Sequence, residues 1–486
     1  MNRSLSPSGA RLRGDEYHHL LALIQAVRAS RSSREIARIG IEDPQTGNAD
    51  DITVYRTDGT CEFYQVKSKV DGNTRANLEW LMTPSPSGGN SIIQGLYEVW
   101  NEYHNAGTQV HLVLYSNALP DSNDPFISCR DGKDGTVAMR LSQARNAILR
   151  RQRSQLATHL SASEDSLIEF LNHLSIRIGR LYDELREDAK IEMYAAGLRF
   201  DDTAVTEGEA LVRTWVTNGV RKLTTEELLT NLAFLQRENG LPKASLFVQA
   251  IDRDLSTETA TIVFDWVDYF QGDEPRTRRV LRDTTLWNTT LRPALRQAAV
   301  NLRSQNATRV LVRGFMRLPT WFTVGTALSK TAGFAEVVSF QGASPWSSVG
   351  DLADFPVVVN DTHVLGSGTD LAITVAASMD PSADVVPFVR ANLHAVKCHF
   401  AILPVGGIGN TIFTSDKQVR QWAYCVRDAV RDLAREYRPS QLHLFLAVPH
   451  GAAMILGHLW DRLPTTQLYE DGGASDYYSP SFLIPN

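Results

Sequence analysis

The chain has 486 residues, 43% hydrophobic and 21% charged, with a net charge of −6. These values are ordinary for a soluble globular protein of two or three domains, and they argue against a protein that is basic overall, though not against a local basic groove. No apolar run reaches the length of a membrane span, the polar N-terminus lacks a signal-peptide core, and the four cysteines form neither a CxxC pair nor a disulfide scaffold, so no membrane attachment, a reducing cytoplasm and no cysteine-rich zinc site are expected.

In chain order, “DEYHHLLALIQAVRAS” has apolar residues at helical spacing. “IARIGIED”, “DDITVYR” and “CEFYQVKSK” read as strands, the last two as a hairpin. “IIQGLYEVWNEYHNAG” reads as a helix ending at Gly107, and “QVHLVLYSNA” as a buried strand. Residues 137–236 read as mostly helical, a connecting layer, with “LIEFLNHLSIRIGRLYDELREDAKIEMYAAGL” helical over many turns and a capping box at Thr224 and Glu227. The basic run “LRRQR”, Leu149 to Arg153, reads as a solvated face. From Lys243 onward strands and helices alternate twice over, which predicts parallel, doubly wound sheets in two successive Rossmann-like units.

The hairpin carries the first candidate chemistry. Asp51 lies 14 positions before Gln65 (65 − 51), and Gln65 and Lys67 share one strand face, with Val66 on the other. Phosphodiester hydrolysis needs a divalent cation on oxygen ligands, to activate water and offset charge on the phosphate. Asp51 and the Gln65 carbonyl can supply ligands, as can the Val66 main-chain carbonyl. Lys67 can orient the attacking water or steady developing negative charge, and Lys69 can meet a phosphate. Asp50 competes with Asp51, which is preferred because it directly precedes “ITVY”.

The second candidate site lies in the C-terminal half. Ligands of open parallel sheets sit beyond the carboxyl ends of strands, near helix N-termini. “RGFMRLPTW”, “PVGGIGN” and “PHG” follow predicted strands. Arg313 and Arg317 can pair with phosphates, Trp321 or Trp266 can stack on a base, Gly407 sits in a post-strand turn, and His450 reads as structural or as a phosphate neighbour. No GxGxxG, HExxH or zinc spacing is present, which speaks against a nucleotide-cofactor enzyme.

The pieces “GDEYH”, “IED”, “DDI”, “YQVKSK” and “LVLYSNA” resemble the PD-(D/E)xK nuclease superfamily in its D…QxK variant. More closely, they resemble the N-terminal endonuclease domain of SAVED-containing effectors of bacterial CBASS antiphage systems. That family tends to show Tyr-Gln in the first helix, where this chain has Tyr17-His18. Glu42 falls where it often has an additional acid, as a metal ligand or its support. “VRGFMRLPTWFTVG”, “LPVGGIGN” and “LHLFLAVPHGAAMILGHLWDRLPTTQLYE” resemble the SAVED domain, which is similar to two fused CARF-like Rossmann units.

The resemblance implies an α/β chain with a restriction-endonuclease-like core at 1–136, a helical extension at 137–236 and a SAVED sensor domain at 237–486. It implies a cytoplasmic antiphage effector. A cyclic di- or trinucleotide from a partner cyclase would bind the sensor and drive homo-oligomerisation. Assembly would turn on Mg²⁺- (or Mn²⁺-) dependent cleavage of double-stranded DNA. The alternative is a non-catalytic sensor whose front domain is a nuclease-like adaptor.

Overall fold

In the computed structural model the chain forms two compact units, Met1–Pro242 and Lys243–Asn486. The structure describes residues 7–31, 35–43, 51–69, 75–85, 89–131, 135–137, 141–143, 146–237, 243–253, 260–342, 344–473 and 478–486, with backbone alone at 7–13 and 361–364. Asp50 lies outside them. Among the described residues no helix is long and apolar enough to cross a membrane, and all four cysteines are free.

The first unit is built on strands β1 (Ile36–Ile41), β2 (Ile52–Arg56), β3 (Cys61–Lys67), β5 (Val110–Ser116), β7 (Leu174–Ile178) and β8 (Lys222–Thr224), beside a small pair formed by β4 (Arg75–Ala76) and β6 (Leu119–Pro120). Their order is β7-β5-β3-β2-β1-β8. The β2–β3 hairpin turns at Gly59, whose φ of 91° suits a residue without a Cβ, and the Asp58 carboxylate accepts the Thr60 N–H at 2.9 Å. Helices cover both faces of the sheet. Tyr64 and Val66 pack in one core with the first helix (Pro7–Arg31), and Phe63, Leu112 and Leu114 pack in the other with helix Ile92–Asn105.

Segment 137–236, expected as a helical layer, supplies two strands of this sheet and part of its core. The long helix expected there is interrupted. Helix Glu164–Asn172 gives way to β7, whose five residues are all buried, and helix Tyr182–Ala195 begins after Gly179. “LSIRI” combines β-branched residues with burial on both faces, which favours a strand despite the helical flanks. Helices Tyr182–Ala195, Asp202–Thr217 and Thr225–Asn231 then contribute buried residues to the same core as the first helix. The Thr224–Glu227 capping box forms as expected.

The second unit holds two sheets. The first comprises β9 (Ala244–Gln249), β10 (Ile262–Asp265), β11 (Arg309–Phe315), β12 (Glu336–Gln341) and β13 (Ser344–Ser347), in the order β10-β9-β11-β12-β13. The second comprises β14 (Val357–Val364), β15 (Asp370–Ala376), β16 (Val396–Pro404), β17 (Leu442–Ala447), β18 (Thr466–Asp471) and β19 (Tyr478–Ile484), in the order β14-β16-β15-β17-β18-β19. Each contains four parallel strands in the doubly wound order 2-1-3-4. The expectation of wholly parallel sheets is corrected at the edges, where β13, β14 and β19 pair antiparallel.

The two halves share one hydrophobic core. Helix Leu318–Ala327, which follows β11, crosses helix His450–His458, which follows β17. Glycines make the crossing close. A Cβ on Gly325 would stand 2.1 Å from the Met454 carbonyl oxygen, and one on Gly457 2.1 Å from that of Phe322. Each glycine is the eighth residue of its helix and each carbonyl the fifth. The contact is therefore reciprocal between equivalent positions.

Candidate functional site

In the first unit, β2 and β3 pair as far as Ile52 and Tyr64. Beyond that point the Asp51 carboxylate takes the place of a strand partner. Its Oδ2 accepts the Val66 N–H at 2.6 Å and a hydrogen bond from the Gln65 amide. Gln65 is buried at 6% exposure, which fixes the amide and the carboxylate together. On the other side of the carboxylate, Oδ1 lies 3.7 Å from His18 Nδ1, with the two side chains 14% and 28% exposed.

Lys67 ends β3 half-buried, and its carbonyl accepts the Ser116 hydroxyl. Two residues on, Asn117 holds the main chain of Lys69 from both sides. Its Oδ1 accepts the Lys69 N–H at 2.6 Å, and its Nδ2 donates to the Lys69 carbonyl at 2.7 Å. “YSNA” thus fixes the exit of the lysine-bearing strand. The Glu42 main-chain N–H donates to the Asp51 carbonyl at 3.1 Å, while its carboxylate pairs with Arg221 at 3.0 Å. Glu42 is therefore tied to the Asp51 backbone, with its charge offset by an arginine.

Among the described residues no group of three or more His, Cys, Asp or Glu side chains stands ready for a metal. The donor set at Asp51 is a carboxylate and an amide, hard oxygen ligands of the kind taken by a cation that keeps several waters. It fits Mg²⁺ in chemistry. From the sequence, Tyr17-His18 stands out only as a departure from the family's Tyr-Gln and is given no role; in the structure His18 reaches Asp51 from a helix more than 30 residues away in sequence. Its neighbours have other roles: Tyr17 is buried and donates its hydroxyl to the Arg180 carbonyl at 2.7 Å. Burial and nearby Arg213 hold the His19 imidazole below its ordinary pKa.

In the second unit, a cavity of about 260 Å³ opens beyond the carboxyl ends of β15, β17 and β18 and the N-terminus of helix Leu318–Ala327. Arg317, Arg279 and Asp384 give it charge, Glu470 a buried carboxyl, and Phe445 and Tyr469, stacked at 4.6 Å, an apolar wall. Arg317 Nε donates to the Arg278 carbonyl at 3.2 Å and lies 3.9 Å from Glu470 Oε1. Burial pushes the Glu470 carboxyl up to about 8, against the pull of Arg317. Arg279 pairs with Asp471 at 3.3 Å.

Of the residues singled out from the sequence, Arg317 alone lines this cavity. Arg313 lies over the Phe247 ring at 5.4 Å. Trp321 is 4% exposed with the His450 ring 4.7 Å away, and His450 itself contacts the Phe340 carbonyl at 2.9 Å. Trp266 is buried against Phe264. These rings are taken up by packing: both tryptophans belong to the hydrophobic core of the unit, and the His450 ring lies against Trp321. Gly407 adopts a φ of 96° in an open turn. Arg279 and Glu470 escaped sequence reasoning because only tertiary folding brings them to Arg317.

Residues 291–484 match the family model of SAVED, the SMODS-associated and fused to various effectors sensor domain. The chain is 24% identical over 212 residues to CD-NTase-associated protein 4 of Enterobacter hormaechei, covering 41% of this chain and 40% of that protein's length. Among solved structures it is similar to the Acinetobacter baumannii Cap4 SAVED/CARF-domain containing receptor with the cyclic trinucleotide 3′3′3′-cAAA, at 12% identity over 100% of both chains and a TM-score of 0.46. The Moraxella osloensis Cap4 receptor is 13% identical over 97% of this chain and 99% of its own, with a TM-score of 0.43. The SAVED match thus falls wholly within the C-terminal unit, Lys243–Asn486.

Proposed function

We propose that this chain is a CBASS-type effector, in which a cyclic oligonucleotide bound by the C-terminal unit switches on a cation-dependent endonuclease in the first. The observation that carries the nuclease reading is the Asp51 carboxylate, fixed by Gln65, two residues before Lys67, and by the Val66 N–H. Asp51 and Gln65 would hold Mg²⁺ or Mn²⁺, with Glu42 as a support. When bound, the cation lowers the pKa of a coordinated water and offsets charge on the scissile phosphate. Lys67 donates a hydrogen bond to a phosphate oxygen or to the attacking water and stabilises the negative charge that develops. Lys69, its backbone held by Asn117, meets an adjacent phosphate of the duplex. Double-stranded DNA is the proposed substrate, held through its phosphates by Lys67 and Lys69, contacts that carry no base information, and cut without sequence preference.

On the sensor side, Arg317 and Arg279 offer two guanidinium groups for phosphate, and Phe445 and Tyr469 an apolar wall for a sugar or base. A cavity of about 260 Å³ suits one nucleotide's share of a ring rather than the whole ligand. The rest of the ring would extend over the surrounding loops. If the ligand binds the assembled form more tightly, ligand and homo-oligomerisation reinforce each other.

The test is a panel of cyclic di- and trinucleotides, each incubated with the protein, Mg²⁺ and plasmid. One member should trigger degradation. Ligand-induced assembly with no cutting under any ligand or cation would overturn the nuclease and leave a sensor with an adaptor domain.

A further inference from the structure

We propose that His18 is a third protein donor to the cation site at Asp51, and that its imidazole tunes that site towards Mn²⁺ over Mg²⁺. This rests on the reading of the first unit as a cation-dependent nuclease. The separation of 3.7 Å between His18 Nδ1 and Asp51 Oδ1 carries the argument. It is too long for a hydrogen bond, which spans about 2.7–3.2 Å. It is within the roughly 4.2 Å that two coordination bonds of about 2.1 Å to one ion can bridge.

The rest of the site leaves this role to His18. Asp51 Oδ2 already accepts two hydrogen bonds, from Gln65 and Val66, so Oδ1 is the oxygen presented towards the imidazole. Neither neighbouring acid takes the place: Glu42 is paired with Arg221 at 3.0 Å and Asp43 with Lys222 at 3.0 Å. The helix is held on either side of His18 by buried Tyr17 and His19, while His18 keeps 28% of its surface. A carboxylate and an amide alone suit Mg²⁺, whereas a nitrogen donor favours transition ions.

The experiment uses the full chain without nucleic acid and Mn²⁺ alone as the probe. Electron paramagnetic resonance measures bound Mn²⁺ and detects a directly bonded nitrogen, with Mg²⁺ as competitor. The wild type should show the nitrogen coupling and prefer Mn²⁺ by about tenfold or more. His18→Gln, which replaces the imidazole with an amide, should lose the coupling and weaken Mn²⁺ binding by roughly tenfold. Nitrogen coupling that is absent from the wild type or survives in His18→Gln, while Asp51→Asn weakens Mn²⁺ binding, would overturn the role of His18 and leave the cation site standing. Mn²⁺ binding indifferent to both Asp51→Asn and His18→Gln would overturn the cation site itself, and the nuclease reading with it.

Discussion

The two candidate sites are built in opposite ways. The one in the first unit is local: Asp51, Gln65, Val66 and Lys67 belong to one hairpin, and the carboxylate is fixed by the strand it faces. The one in the second unit gathers Arg279 from a loop, Arg317 from a helix cap and Glu470 and Asp471 from the end of β18, segments far apart in sequence that pair with one another rather than with a single anchor. A hairpin site can be recognised from a short motif and disabled by one substitution. A cavity assembled from strand ends and a helix start is set by the frame beneath it, so its weak points lie in the packing and in the ionisation of buried groups.

The largest expected effect tests the local site. Lys67→Ala should lower ligand-triggered plasmid cleavage by about 10³-fold and leave cyclic oligonucleotide binding, measured by calorimetry, unchanged. A fully active variant would remove the lysine from the chemistry. The next tests the frame of the other unit. Gly457→Ala puts a methyl against the Phe322 carbonyl, where the ideal Cβ lies at 2.1 Å, and should cost roughly 3 kcal/mol of stability in chemical denaturation. A neutral result would mean that the helices separate freely.

The third effect concerns ionisation. Burial holds the folded-state pKa of Glu470 at about 8, above the 4.5 of an ordinary glutamate. Its contribution is therefore fully present below pH 4.5 and is lost as pH rises through about 8, because the unfolded chain releases the proton first. Glu470→Gln should remove that slope, making the variant more stable than the wild type at pH 6 by on the order of 2 kcal/mol. Parallel stability curves across pH 5 to 8 would show that the carboxyl is not held neutral. The smallest effect returns to the hairpin. Asn117→Ala removes both hydrogen bonds to the Lys69 main chain and should cost about 1–2 kcal/mol. It should slow cleavage with Mn²⁺ affinity intact, which separates a positioning role from a ligand role.

What could be read from the sequence follows the same division. The hairpin, its turn at Gly59 and the shared face of Gln65 and Lys67 are local, and strand periodicity reveals them. Two Rossmann-like halves were legible from the alternation of elements, and the topology repeats the same strand order in each. β7 was read as helix because its apolar residues continue a helical spacing on both sides, and burial on two faces hides the strand period. The antiparallel edge strands were missed because pairing at a sheet edge depends on a neighbour distant in sequence. His18, Arg279 and Glu470 acquire their surroundings only after folding, and no spacing rule reaches them.

The crossing of Leu318–Ala327 with His450–His458 has one more consequence. Phe322 meets Gly457 while Met454 meets Gly325, and the members of each pair are 132 residues from their counterparts (454 − 322 and 457 − 325). A contact in which i touches j and j touches i is the isologous kind that relates two subunits about a two-fold axis. Here both partners belong to one chain, so the encounter is intramolecular and does not weaken on dilution. The two partners are also free to differ, as Arg317 and Pro449 do at the same cap position. One half can then hold an anion while the other keeps only the frame, a division of labour closed to a symmetric pair of identical chains.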